Sequence, residues 1–294
     1  GLNGWDVSYM FQNRDAGEFS RLIGKERWNV VAPNVMGIFP AVARQVLRGD
    51  VTESSVVARR NVNLASLGQG KLGFSDKVTQ QHDVKTFDSD KVPAAALTVA
   101  RCVVKFTKTH QPTDPFDISK YVRDGVYRSS TGQLSWTPGK RKLDGHFTIN
   151  TPATKAVVGF AAGRTCKLGE VTIAPAKQTR FGAIYVTARH PGATIASDND
   201  LLITAVARAR NTGMKVYLDS RIIHRGDAPV IMEPITAKIA IRRSGAPTVH
   251  VLDHAGRKTG QTLPVGDGTF EINGARDKTC YYLVSYARYS PPKN

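Results

Sequence analysis

Gly182-Ala183-Ile184-Tyr185-Val186-Thr187-Ala188 and, after a polar break, Asp200-Leu201-Leu202-Ile203-Thr204-Ala205-Val206-Ala207-Arg208 form the stretch on which the fold turns. Each run is of strand length and apolar, and the second is followed by the turn pair Thr212-Gly213. Such runs read as strands. Further candidates are Ser55–Asn61, Leu97–Thr107, Leu134–Trp136, His146–Asn150, Ala156–Ala161 and Glu170–Pro175. After Arg208 come Val230–Glu233, Ala237–Arg242, Pro247–Leu252, Gly268–Ile272 and Tyr281–Tyr286, punctuated by Arg225-Gly226, Ala255-Gly256 and Asn273-Gly274. Many short strands with regular turn signals predict a mainly β chain built on a β-sandwich, with one or two antiparallel β domains.

The first fifty residues differ. Trp5 to Gln12 places Trp5, Val7, Tyr9 and Phe11 on one parity and reads as a buried strand. After a charged loop over Asn13–Asn29, apolar residues at Val35, Ile38, Phe39, Val42, Ala43, Val46 and Leu47 share one helical face, and Gly49 supplies a stop. The expectation is one helix over Val35–Arg48, and so a single βα unit. A lone parallel-type strand needs neighbours that the antiparallel remainder does not offer. Either it docks on another chain or its sheet lies upstream. The polar stretch Gly68–Pro93 reads as a long excursion, with a short helix near Val92–Leu97. The expected divisions are 1–50 for the βα unit, 51–133 for a connecting β/loop region, 134–289 for the sandwich and 290–294 for a tail.

Of 294 residues, 41% are apolar and 22% charged, enough for a real core. No stretch approaches the roughly 18 to 20 apolar residues of a membrane helix, so no membrane span is expected. Against 24 Asp and Glu stand 41 Lys and Arg, a net +17. That surplus favours polyanions, but the basic residues are scattered rather than gathered into a stripe with interleaved aromatics. The densest run, Lys140-Arg141-Lys142, sits in a turn context. Nucleic acid is therefore not the expected partner, and a polyanion-binding surface is kept as an alternative.

Cys102, Cys166 and Cys280 have no zinc spacing and read chiefly as buried thiols. His250 and His254 flank a turn instead of sharing a helix face, so no metal site is expected. No nucleophile elbow, P-loop or dinucleotide fingerprint appears, and no cofactor is expected. Glu233, in an apolar strand before Pro234, lacks a second carboxylate nearby in sequence.

Gly4-Trp5-Asp6-Val7-Ser8-Tyr9-Met10-Phe11, followed by Ile38-Phe39-Pro40-Ala41-Val42-Ala43-Arg44-Gln45-Val46-Leu47-Arg48-Gly49-Asp50-Val51, resembles the last barrel strand and helix of clan A-like (β/α)8 glycoside hydrolases. Bacterial multidomain members of the agarase- and β-galactosidase-like kind carry an accessory β-sandwich, which Phe147–Phe160, Asp200–Met214 and Ala228–Pro234 also resemble. The resemblance implies a C-terminal part of an enzyme acting on β-linked poly- or oligosaccharide, secreted or periplasmic, with a remnant of the barrel preceding the sandwich. The remaining barrel would lie on the same parent or on a second chain; the alternative reading is a non-catalytic carbohydrate-binding or assembly module built on a similar sandwich. The two catalytic carboxylates, about 5 to 5.5 Å apart in retaining members, would lie on earlier barrel strands, so this chain carries no catalytic residue. Trp5 matches the aromatic of the family's last strand, a sugar-stacking platform. Asp6 and Tyr9 join it as candidate substrate-binding residues, though Asp6 also reads as a rim ion-pair partner. Tyr9 also reads as packing under the helix, and Trp5 as a core aromatic.

Overall fold

A computed structural model of the chain describes residues 1–5, 32–69, 77–81, 84–88, 91–140, 144–217 and 221–287. The chain is mainly β, as expected. It divides into two compact units, Gly1–Asp6 with Val51–Pro138 and Val7–Asp50 with Gly139–Asn294. The chain passes from one unit to the other after Asp50 and after Pro138, and the described residues 32–50 group with the sandwich.

The first unit is built on a parallel pair. Strand β1 (Val57–Asn63) lies beside β4 (Arg101–Thr107), with Ala58 opposite Cys102 and Val62 opposite Phe106. Parallel strands need a long crossover, and the polar excursion supplies it. It holds α1 (Leu64–Gly68), a hairpin of β2 (Lys77–Gln81) and β3 (Val84–Asp88), and a 3-10 turn over Ala94–Thr98. Pro93 opens that turn at φ −64°, and Ala96, Val99 and Ala100 bury with Ala58 and Val92 to form a small core. The strand expected over Leu97–Thr107 thus begins only at Arg101, because Leu97 and Thr98 belong to the turn. A meander of β5 (Val122–Arg123), β6 (Val126–Arg128) and β7 (Leu134–Thr137) completes the unit. Its first hairpin turns on Asp124-Gly125, both at positive φ (52° and 72°), the conformation of a tight two-residue hairpin.

The second unit is a two-sheet sandwich. Its larger sheet uses β8 (His146–Asn150), β9 (Thr154–Gly159), β12 (Gly182–Ala188), β13 (Asp200–Val206), β19 (Pro247–Leu252), β20 (Lys258–Leu263) and β22 (Tyr281–Tyr286). Their order is β20-β19-β22-β13-β12-β9-β8, antiparallel throughout. The smaller sheet runs β10 (Cys166–Leu168), β11 (Val171–Pro175), β18 (Thr236–Ile241), β21 (Thr269–Asn273), also antiparallel. Alternate side chains of the two sheets meet in one core: Val157, Ile184, Val186, Leu201, Ile203, Tyr282 and Val284 from the larger, Val171, Ile173, Ile239, Ile241, Phe270 and Ile272 from the smaller. Between β13 and β18 the chain forms an arm. There β14 (Ala209–Thr212) pairs with β17 (Asp227–Met232), and β15 (Lys215–Tyr217) with β16 (Arg221–His224).

A helix packs on the outer side of the larger sheet. The single helix expected over Val35–Arg48 is corrected to two, α2 (Pro33–Met36) and α3 (Phe39–Leu47). Pro40, in the first turn of α3, has no N–H to give, and its ring excludes the carbonyl four residues back. The chain therefore breaks at Gly37-Ile38. A side chain at Gly37 would stand 2.5 Å from the Pro33 carbonyl oxygen and 3.0 Å from Val206 Cγ1, so glycine permits the close approach to β13. Helix α3 packs on β12 and β13. All seven residues of β12 are buried, which is how a strand covered on both faces reads. The last helix, α4 (Gly274–Asp277), is a single turn capped by Asn273, whose side chain accepts from the Ala275 and Arg276 N–H groups. No described helix is long and apolar enough to cross a membrane.

Candidate functional site

Trp5 closes a segment that is firmly held in the first unit. Leu2 is buried, and its carbonyl accepts from the Ser54 N–H at 3.0 Å. The Asn3 amide works from both ends: its oxygen accepts from the Cys102 N–H at 2.9 Å and its nitrogen donates to the Leu97 carbonyl at 3.3 Å. Gly4, at φ +71°, turns the chain against the Glu53 carboxylate, which pairs with Arg101. Beyond these anchors Trp5 stands 71% exposed, in coil. Such an indole presents a flat apolar face and a free N–H, the two features that a pyranose engages. Asp6, Tyr9 and the rest of the strand expected over Trp5–Gln12 lie outside the described residues, as does the loop Asn13–Asn29.

The motif Arg48-Gly49-Asp50-Val51 acquires a mechanical meaning in the second unit. Arg48 donates to both oxygens of Asp50 (2.9 and 2.6 Å), to the Ala188 carbonyl (2.5 Å) and to Thr154 Oγ1 (3.2 Å). Thr154 in turn donates to Asp50 at 2.6 Å. The Asp50 side chain is 3% exposed, and Gly49 takes φ +62° to bring it back beneath the helix end. A planar guanidinium against a carboxylate gives two parallel charge-assisted bonds. The group locks the end of α3 onto β9 and β12. The remaining side of α3 is apolar and open, with Val46 and Leu47 exposed.

A larger cavity, about 1120 Å³, lies in the second unit among Met36, Val230, Met232, Ile235, His254 and Lys278. Among its described lining residues Glu233 is the one carboxylate, and it is committed to Arg208 at 2.8 Å, with Arg210 at 4.0 Å. Cys280 and Tyr281 also line it. Burial pushes the Cys280 thiol up to about 11, which leaves it protonated and a poor nucleophile at neutral pH. Burial likewise pushes the Tyr281 hydroxyl far above its ordinary range, and that hydroxyl donates to the Gly37 carbonyl at 2.8 Å. The cavity thus lacks the pair of carboxylates that glycoside hydrolysis requires, and Glu233 serves as an ion-pair partner.

Two buried carboxylates of the second unit are structural. Asp277 is buried and accepts from Arg276 Nε at 2.6 Å, the Asn273 N–H at 3.0 Å and the Tyr282 hydroxyl at 3.0 Å. Burial pushes its carboxyl up, but these hydrogen bonds outweigh that and hold it below the usual range. Asp198 is set the same way. Burial raises it, and the His190, Asp200 and Arg189 N–H groups and the His190 ring more than compensate. Arg243 lies 4.0 Å over the Tyr286 ring and donates to the Ile195 and Asp198 carbonyls. These braces were not apparent in the sequence, since each joins residues from different strands or loops.

Tyr281, Tyr282 and Tyr286 are buried, so they offer no platform on the sandwich. Trp136 tilts against Tyr127 at 5.1 Å. All three cysteines are free, and burial raises each thiol above its usual range. Among the described residues no group of three His, Cys, Asp or Glu could hold a metal ion. The chain matches no protein-family model, no curated protein and no solved structure.

Proposed function

We propose that the chain is the C-terminal part of a carbohydrate-active glycoside hydrolase acting on β-linked poly- or oligosaccharide. In this reading it presents Trp5 to the sugar, and the helix and its sandwich brace the catalytic domain. The two carboxylates that perform hydrolysis belong to that domain. The observation that carries the reading is Trp5, an indole 71% exposed on a segment pinned by backbone and amide hydrogen bonds. A tryptophan left in water on a held segment costs apolar exposure and suits a stacking surface. The helix end supports the same reading. Arg48 and Asp50 couple α3 to the sandwich while Val46 and Leu47 face outward, an arrangement suited to a helix that serves a second apolar layer.

Affinity electrophoresis of the chain in gels containing soluble β-glucans, β-galactans or agarose tests the proposal. Retardation by at least one polysaccharide is expected, lost in Trp5→Ala, together with no turnover of the same polymers. Retardation indifferent to Trp5→Ala, no retardation at all, or hydrolysis by the pure chain overturns it.

A further inference from the structure

Along β1, side chains two residues apart share a face, so Val57, Arg59 and Asn61 point the same way. Opposite them runs the segment Asp114-Pro115-Phe116, and the two enclose a pocket of about 250 Å³ within the first unit. Its walls are fastened. The Asn61 N–H donates to Thr113 Oγ1 at 3.0 Å, and Asn61 Nδ2 donates to the Pro112 carbonyl at 2.7 Å. The Phe116 N–H donates to the Lys91 carbonyl at 2.7 Å, and the Phe116 ring stacks parallel to Tyr121 with centroids 6.0 Å apart.

Three polar groups remain for a ligand. The bond to Pro112 fixes which end of the Asn61 amide is oxygen, and that oxygen is buried without a hydrogen-bond partner. Buried polar atoms normally have one, so such an atom calls for a donor. Among the described residues neither Arg59 nor Asp114 makes an ion pair or a side-chain hydrogen bond. Arg59 therefore offers donors, while Asp114 and Asn61 offer acceptors. Their opposite charges cancel, so an anion would face Asp114 and a cation would face Arg59. A neutral ligand bearing several hydroxyls satisfies all three. The volume suits one sugar ring and not a chain of them.

We propose that this pocket binds a single pyranose residue of a glycan, with Arg59, Asn61 and Asp114 bonding its hydroxyls and Phe116 forming part of the wall. The proposal rests on the carbohydrate reading above and adds to it a second sugar contact, one that is polar where Trp5 is a stacking face.

Saturation-transfer NMR of the chain with methyl β-glucoside, methyl β-galactoside and methyl β-xyloside, at up to tens of millimolar, tests it. At least one glycoside should bind. Asp114→Asn and Arg59→Gln change surface side chains and leave the Asn61 clamp intact, so both variants should fold, as circular dichroism would verify. Each should bind at least tenfold more weakly. Equal binding by the variants overturns the pocket. If no glycoside binds while polysaccharide gels still retard the chain through Trp5, the pocket fails and the functional reading stands. If neither binding is seen, both fall.

Discussion

In the sandwich, β12 is buried at all seven positions, with the opposing sheet on one side and α3 on the other. In the first unit, β4 leaves Val104, Lys105 and Phe106 in solvent, and the core beneath the parallel pair is built mostly from alanine and valine. The two regions use strands of equal length, seven residues each, yet bury them to different depths. Deep burial on both faces leaves β12 itself no free face, and the cavity of the second unit lies among Met36, Val230, Met232 and Ile235 instead. The first unit, with its smaller core, carries the polar pocket beside β1 and the exposed Trp5.

The largest effect that would sharpen this contrast lies at the helix end. Arg48→Ala removes the guanidinium that donates to both oxygens of the buried Asp50 carboxylate, and removing one member of such a pair costs about 3–5 kcal/mol. Guanidinium-induced unfolding should show that loss, and a change below about 1 kcal/mol would mean the latch does not hold α3. Next comes the core. Ile203→Ala, at a fully buried position between the sheets, should cost about 3–4 kcal/mol. Val99→Ala in the smaller core should cost about 1.5–2.5 kcal/mol. Equal losses in the two would erase the distinction drawn here.

Acid should act on the sandwich through Asp277 and Asp198. Both are held below their unfolded pKa, so the stability they contribute is fully present above pH ~4. It is lost as pH falls through their lower folded values. Stability measured against pH should therefore decline on the acid side less steeply in Asp277→Asn than in the parent. The smallest effect is expected at Phe106, 57% exposed on β4. Phe106→Ser should change stability by less than about 0.5 kcal/mol, and a larger loss would mean that this face is covered.

Much of the sandwich was legible. His146–Asn150, Gly182–Ala188, Pro247–Leu252 and Tyr281–Tyr286 are strands with the expected bounds, because apolar runs between turn signals leave little choice of register. The strand β20 escaped notice because Lys258 to Thr262 are exposed and only Leu263 is buried, so it carries no apolar signal. In the arm, the strand expected over Val230–Glu233 overlaps β17, while β14, β15 and β16 escaped for a related reason: the arm strands pair with each other and have no core to declare them. The parallel pairing of β1 with β4 was also missed, since the crossover joining them is polar and weakly periodic. Of the candidate site, Trp5 was named from a family resemblance, while Arg59, Asn61 and Asp114 were not named at all. Fifty-five residues separate Arg59 from Asp114 in the chain, and nothing in either neighbourhood marks them as partners.

Composition, strand-length apolar runs and turn residues by themselves determined a mainly β chain with a sandwich and a helical segment ending at Gly49. Those features are local, set by side-chain periodicity and by the backbone freedom of glycine and proline. Tertiary structure alone decided that Arg48 and Asp50 clamp the helix to β9 and β12, that Glu233 is tied to arginine, and that Asn61 faces Asp114 across a pocket. Each of these depends on where distant backbone is carried, and a hydrogen bond or ion pair forms only when folding closes that distance to about 3 Å.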